Sequence, residues 1–281
     1  MILSYHPCYV GDENRLCAGR DPDDADASAM KRADAVILPQ GCRQALFEMA
    51  AAHCRHFFPD YTRRFTFPGK IGQTALFRQH GASHPDTVTF ESMEDAYQHK
   101  KSGHATPPFG YPFVFKFTWS GEGENVWLVN NRMEFEQLIE KAASFENTGQ
   151  KGFLLQRYVH TGGRSLRVVV IGETCRSYWR IQPDPARFGT QSAQGGIIDH
   201  RADMDLQKCA KDAVMDFCRK TGINLAGFDI VYDAAARNRQ PLFLEINYYF
   251  GRRGLGGSEA FYALLCREID GWLDHNVLKT K

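Results

Sequence analysis

The chain has 281 residues, 43% hydrophobic and 24% charged, with 34 basic and 33 acidic side chains and a formal net charge of +1. That length leaves room for two or three packed units, and the near-neutral balance supplies no global field toward nucleic acid or a membrane surface. No run approaches the ~18 apolar residues of a membrane span, and the opening MILSYHPCYVGDE lacks the basic and apolar regions of a secretory signal. The expected setting is the cytoplasm, with small-molecule or peptide partners recognised locally. The eight cysteines form no CxxC pair and are expected as reduced thiols. Cys42, His53, Cys54 and His56 fit no common zinc spacing.

Residues 1–66 read as a small α/β unit. ILSY is a short strand, DPDDAD an acidic loop, AVILP a second strand, and CRQALFEMAAAHCRHF a helix. Residues 61–68 form a connector rich in aromatic and basic side chains. A helix is expected over residues 69–80, then a loop, GASHPDT, with a proline stop. Further on, GYPFVFKFTW and NVWLV flank SGEGE as a hairpin, followed by a helix at RMEFEQLIEKAASF and a strand at GFLLQRYV. SLRVVVIG and TCRSYWRI make a second hairpin across Gly172-Glu173. MDLQKCAKDAVMDFCRKTG is an amphipathic helix ended by Gly222. AGFDIVYD and PLFLEINYY make a third hairpin, and EAFYALLCREIDGWL a terminal helix.

Three constellations carry chemistry. Glu245 and Asn247 are two apart in a strand and share a face. A register with Tyr232 opposite Leu242 sets Asp229 across from Glu245, with Leu244 and Ile246 on the other face. Two adjacent carboxylates repel unless a cation sits between them, and Asp, Glu and an amide carbonyl are the hard-oxygen set suited to Mg²⁺. The alternative is a solvated polar face. Lys116 interrupts an aromatic strand just before Ser120, Gly121 and Gly123. Glycines let backbone N–H groups close on an anion, and a lysine adds a point charge. The alternative is an edge lysine beside a flexible tip. In the second hairpin, pairing Ile171 with Thr174 puts Arg167 opposite Tyr178 and Arg180 opposite Ser165. The two arginines then sit diagonally on one face, where they invite a multivalent anion or are simply exposed. No GxSxG, Walker loop or HExxH motif occurs.

Taken in order, these motifs resemble the ATP-grasp superfamily over roughly residues 65–260. They are a lysine opening a helix, a strand lysine before a glycine-rich hairpin, an arginine hairpin and D…ExN. The closest look is to the branch holding glutathione synthetase and the ligases that add glutamate to a ribosomal protein. The resemblance implies an α+β fold in which two α+β subdomains clasp ATP. These are residues 67–158, with the lid hairpin, and 159–281, with the metal site, preceded by the small α/β domain 1–66. It implies that Lys70 and Lys116 contact phosphate, and that Ser120, Gly121 and Gly123 belong to a lid. Gln156, Tyr158 and the main chain of Arg157 and Val159 would meet the adenine. Arg167 and Arg180 would join Lys116 in catalysis, facing the γ-phosphate or an acyl phosphate. Asp229, Glu245 and Asn247 would hold two Mg²⁺ ions, with Mn²⁺ as a substitute.

There are departures from the family pattern. Gln156 stands where relatives often have glutamate, and Ser165 where an acid commonly holds the ribose. Gly189 and Gln191 replace an arginine and an asparagine. YYFGRRG replaces small residues and proline, which makes Arg252 and Arg253 candidates for a substrate carboxylate. The implied activity is ATP-dependent carboxylate–amine ligation through an acyl phosphate, with release of ADP and phosphate; a homodimer is a family expectation. A kinase acting on a hydroxyl, and a non-catalytic ATP sensor, are the alternatives.

Overall fold

Three β-rich stretches form three separate sheets in the computed structural model, which describes residues 1–103, 108–119, 125–184, 188 and 196–278. The first contains β1 (Ile2–Ser4), β2 (Glu13–Asn14), β3 (Ala35–Ile37) and β4 (Phe57–Phe58), all parallel in the order β2-β1-β3-β4. Helices α1 (Asp24–Arg32) and α2 (Gln44–His53) connect them. Every residue of β3 is buried, as a parallel strand covered on both faces requires.

Two expectations for this unit are corrected. The acidic DPDDAD is a helix start rather than a loop: Asp23 accepts from the N–H groups of Ala25 and Asp26, and the Asp26 carboxylate accepts from Asp23 N–H. This reciprocal pairing satisfies amide groups that the first helical turn leaves orphaned. The helix expected to reach residue 57 stops at His53, because Cys54 is extended and the chain turns into β4. The connector also contains a short helix, α3 (Thr62–Thr66).

The second sheet is antiparallel, ordered β5-β8-β6-β7 from β5 (Thr87–Phe90), β6 (Phe113–Phe117), β7 (Val126–Val129) and β8 (Phe153–Arg157). Helices α5 (Met93–Lys101) and α6 (Arg132–Asn147) pack on it around Phe113, Phe115, Phe117 and Phe153. Phe115 and Phe153 stack with their ring centres 5.0 Å apart. The sequence reading contained neither β5 nor α5.

The third sheet, β11-β10-β9-β12-β13, is built from β9 (Arg164–Ile171), β10 (Thr174–Ile181), β11 (Ile197–Asp199), β12 (Leu225–Val231) and β13 (Leu242–Asn247). Helix α7 (Met204–Thr221) covers one face and α8 (Gly257–Leu273) the other. Along β9, Leu166, Val168 and Val170 enter the α7 core, while Val169 and Ile171 enter the α8 core. This alternation leaves Arg167 on the α8 face, beyond the end of its apolar packing. Helix α7 stops where Gly222 turns left-handed at φ +79°.

Helix α4 spans Gly69–Gln79. Its Leu76 and Phe77 pack in the core shared by the first sheet and α7, not in the cluster of the second sheet. The Gln73 side chain donates to Ile246 O at 2.9 Å and accepts from Ile246 N–H at 2.8 Å, fastening α4 to the edge strand β13. No helix among the described residues is long and apolar enough to cross a membrane.

Asp26 ties α1 to β1. It is fully buried and accepts from Tyr5 Oη at 2.9 Å and Arg20 at 2.6 Å. Burial opposes its charge, but Arg20, the Asp23 N–H and Tyr5 outweigh it and hold the carboxyl well below the ordinary 3.8. A depressed carboxyl contributes stability that is present above the unfolded value and is lost as pH falls toward the folded one. Asp26→Ala should therefore cost about 3 kcal/mol at neutral pH. Urea denaturation at pH 7 and near pH 3 should show the gap between wild type and variant narrowing in acid; an unchanged gap would mean the charge is not what matters.

Candidate functional site

The β12–β13 hairpin sets the site. Gly227–Asn247, Phe228–Ile246 and Asp229–Glu245 are cross-strand partners, but the register then slips, and Val231 rather than Tyr232 faces Leu242. One extra residue on β13 makes a bulge, which places two consecutive side chains on the same side. Phe243 and Ile246 enter the α7 core. Leu244, Glu245 and Asn247 line a cavity of about 800 Å³. Leu244 therefore does not share a face with Ile246, as a uniform register had implied.

Asp229 is the junction of three strands. Its carboxylate accepts from Arg167 Nε at 2.6 Å, Arg180 Nη2 at 2.7 Å and Asn247 Nδ2 at 3.3 Å, and its side chain is only 14% exposed. Arg167 pairs across the sheet with both Asp229 and Tyr178, while Arg180 pairs with Ser165 and donates to its Oγ at 3.1 Å. Burial alone would raise the Asp229 pKa, but the two guanidiniums outweigh it and keep the group ionised, below the usual carboxylate range. Arg180 Nε is buried without a partner among the described residues. Glu245, across from Asp229, makes no hydrogen bond or ion pair among the described residues.

Lys116 reaches the same cavity from the second sheet. Its Nζ donates to Gln156 Oε1 at 2.8 Å, Gln156 Nε2 donates to Thr87 Oγ1 at 3.0 Å, and that hydroxyl donates to Pro85 O at 2.7 Å. The chain of bonds sets the orientation of the Gln156 amide. A neutral partner leaves the ammonium charge uncompensated. Burial lowers the Lys116 pKa to about 8, with the Glu245 and Asp229 carboxylates pulling it up and Lys70 pushing it down.

The cavity brings together Lys70, Lys116, Gln156, Arg157, Tyr158, Val159, Arg167, Arg180, Asp229, Glu245, Asn247 and Arg253. Ser120, Gly121, Gly123, Gly189 and Gln191 lie outside the described residues. The Arg157 N–H donates to Asp86 O at 2.8 Å and its side chain pairs with Asp86, while the Val159 N–H has no partner among the described residues. Arg252 does not line the cavity. Its guanidinium lies over the rings of Tyr262 and Phe261, 4.4 and 5.0 Å from their centres.

Sequence reasoning missed Leu244 and Tyr178 as cavity residues. A β-carbon on Gly254 would stand 2.2 Å from Tyr178 Cζ, so the loop after β13 rests directly on that ring. The glycine in GRRGLGG was the available signal. Apolar Val114, Val126, Val231 and Leu244 share the cavity with cations and carboxylates, a lining suited to a flat, polyanionic ligand.

Residues 69–259 match a family model described as a RimK-like ATP-grasp domain. A probable alpha-L-glutamate ligase of Azotobacter vinelandii (strain DJ / ATCC BAA-1303) is 27% identical over 150 residues, covering 52% of this chain and 45% of that protein. N-acetylaspartylglutamate synthase A of Homo sapiens is 25% identical over 154 residues, covering 54% of this chain and 36% of that protein. The chain thus matches less than half the length of either relative. The D-alanine–D-alanine ligase from Bacillus anthracis, solved in complex with ATP, superposes with a TM-score of 0.62 at 13% identity, covering 95% of this chain and 86% of that one. At that identity the likeness is one of fold.

The Lys116–Gln156 pair yields a direct test. Gln156→Glu would place a carboxylate where the amide oxygen now sits 2.8 Å from Nζ, favouring the charged lysine. The Lys116 pKa should rise from about 8 toward or beyond the ordinary 10.5, as followed by NMR titration of the labelled side chain. A value still near 8 would show that a carboxylate at position 156 does not offset the burial.

Proposed function

This chain belongs to the RimK-like ATP-grasp family, and on that footing we propose that it is an ADP-forming carboxylate–amine ligase that works through an acyl phosphate. The observation that carries this reading is the Asp229–Glu245–Asn247 face, set in one cavity with Lys70, Lys116, Arg167 and Arg180. The donor set fits a hard divalent cation. The Glu245 carboxylate, unpaired among the described residues, the Asp229 carboxylate and an amide oxygen are oxygen ligands of the kind Mg²⁺ takes. Mg²⁺ held by these three residues would neutralise phosphate oxygens of ATP.

The remaining steps fall to the chain's own groups and the substrates. A substrate carboxylate oxygen attacks the γ-phosphorus of ATP, the bond to ADP breaks, and an acyl phosphate forms. An amine then attacks the acyl carbon, phosphate leaves with the C–O electron pair, and the proton lost by the nitrogen passes to the departing phosphate. Arg180, whose Nε has no partner among the described residues, and Arg167 offer donors where charge develops on the transferred group. Lys116 carries a proton to the phosphates, and Leu244 and Val231 offer apolar surface to the base. The protein supplies no covalent nucleophile; positioning and charge screening do the chemistry. Both curated relatives carry glutamate in their names, so L-glutamate is the first amine to try.

Thermal unfolding with ATP, with and without Mg²⁺, tests the reading. A ligand at about a hundred times its Kd stabilises by roughly 2.7 kcal/mol, which raises Tm by a few degrees. Wild type should show a Mg²⁺-dependent rise that Glu245→Gln blunts, and ADP release should require a carboxylate. No shift with any nucleotide would remove the ligase reading, and ADP release needing only a hydroxyl compound would move it to a kinase. Triphosphate beside Lys116 should also raise that group's pKa from about 8, so the complex holds more protons than its parts near pH 8. Calorimetry in two buffers of different ionisation enthalpy should report proton uptake.

A further inference from the structure

The sheet face that carries the site holds one more polar side chain than the steps above use. Across the strands, Glu245 on β13 faces Asp229 on β12, Asp229 faces Arg167 on β9, and Arg167 faces Tyr178 on β10. Cross-strand partners share a face, so the four side chains form one row. Arg180 stands two residues beyond Tyr178 on the same strand and therefore on the same side. With strands about 4.8 Å apart, the row runs from two carboxylates, over a guanidinium, to a phenol. Tyr178, Arg167, Arg180, Asp229 and Glu245 all line the one cavity.

The phenol ring is fixed from several sides. A β-carbon on Gly254 would stand 2.2 Å from Cζ and 2.4 Å from Cε1 and Cε2, so backbone rests on the hydroxyl-bearing half of the ring. The His200 ring lies 5.6 Å away, centre to centre. The ring also belongs to the α8 core, with Val169, Phe250 and Phe261.

This packing accounts for the ring and not for the oxygen. Phenylalanine would fill the same space, whereas a hydroxyl withdrawn from water costs free energy unless it finds a partner. Tyr178 is 4% exposed, and its Oη makes no hydrogen bond among the described residues. Burial holds its pKa above the ordinary 10.0 against the pull of Arg167 and Arg180, so near pH 7 the group is a neutral donor. A guanidinium has no lone pair to offer that donor. The Asp229 carboxylate already accepts from Arg167, Arg180 and Asn247. A donor beside two cations, with no acceptor of its own, suits an anionic oxygen brought by a ligand.

We infer that Tyr178 is a further catalytic residue of the proposed reaction: its hydroxyl donates a hydrogen bond to a non-bridging oxygen of the phosphoryl group as that group passes from ADP to the substrate carboxylate. This rests on the ligase reading above. The bond to ADP breaks and the bond to the carboxylate oxygen forms, while Tyr178 keeps its proton throughout. The phenol stands on the far side of Arg167 from Asp229 and Glu245, the residues proposed for the metal. Phosphates of bound ATP are served by the metal and by Lys116. The hydroxyl instead meets the group once it leaves ADP, and a contact made more strongly in transit than at rest is one that accelerates the step.

Tyr178→Phe in the full chain removes the oxygen and leaves the ring under Gly254. Thermal unfolding gives Tm and the Mg²⁺-dependent ATP shift for both proteins. Calorimetry then follows ADP binding with Mg²⁺, alone and with aluminium fluoride, which mimics a phosphoryl group between donor and acceptor.

Aluminium fluoride should tighten ADP binding by wild type. Tyr178→Phe should keep or raise Tm, keep the ATP shift and the ADP affinity, and lose about 10- to 100-fold in affinity for ADP with aluminium fluoride. Equal tightening in the two proteins, or none in a wild type that shows the ATP shift, would overturn the inference. A fall in Tm or in plain ADP affinity in Tyr178→Phe would overturn it as well, by making the hydroxyl a structural group. No ATP shift in wild type would remove the ligase reading, and the inference with it.

Discussion

One carboxylate held by two guanidiniums organises this molecule. Asp229 sits on β12, Arg167 on β9 and Arg180 on β10, so three strands place their charged side chains at one point on one sheet face. A largely buried carboxylate would be costly alone, and two arginines this close would repel without it. The surrounding features keep this point at the edge of an open cavity. The alternating face of β9 feeds two cores and leaves Arg167 between them. The bulge in β13 adds Glu245 and Leu244 beside Asp229, and the Gln73 clamp holds α4, with Lys70, against the same strand. The Asp229 carboxylate already serves two cations, so any further cation it binds competes with or rearranges its arginine contacts.

The parts of this arrangement readable in the sequence were those that depend on period two and short turns. Gly172-Glu173 leaves room for one tight hairpin register, so the positions opposite Arg167 and Arg180 followed from counting. Asp229 opposite Glu245 was also reached by counting, although the starting pair, Tyr232 with Leu242, was misplaced by one. The loop register and the bulge shift by one residue in opposite senses and cancel at the functional residues. A bulge leaves little mark in composition, and Leu244 was therefore assigned to the wrong face.

Other features were hidden because they depend on partners far along the chain. The acidic run before α1 is a cap whose strength comes from Tyr5 and Arg20 as much as from its own spacing. Strand β5 is four residues whose identity comes from pairing with β8 far along the chain, from Thr87 with Gln156 to Phe90 with Phe153. Arg252 and Arg253 are adjacent and chemically alike, yet one lines the cavity and the other stacks on α8, because a short 3-10 turn at Arg253–Leu255 begins between them. A pair of like charges in sequence thus serves two places in space.

The second sheet has a core of its own. Its aromatic cluster, from Phe90 to Leu155, shares no residue with the two cores that join the first and third sheets through α4, α7 and α8. Segments with separate cores open as separate cooperative units, each with its own free energy. A ligand that touches Lys116 on one sheet and Glu245 on the other couples those units, because opening either one forfeits the binding energy. Amide hydrogen exchange in β6 and β8 then becomes a property of the whole ligated protein rather than of one lobe, and the cleft's occupant supplies the packing that the separate cores do not share.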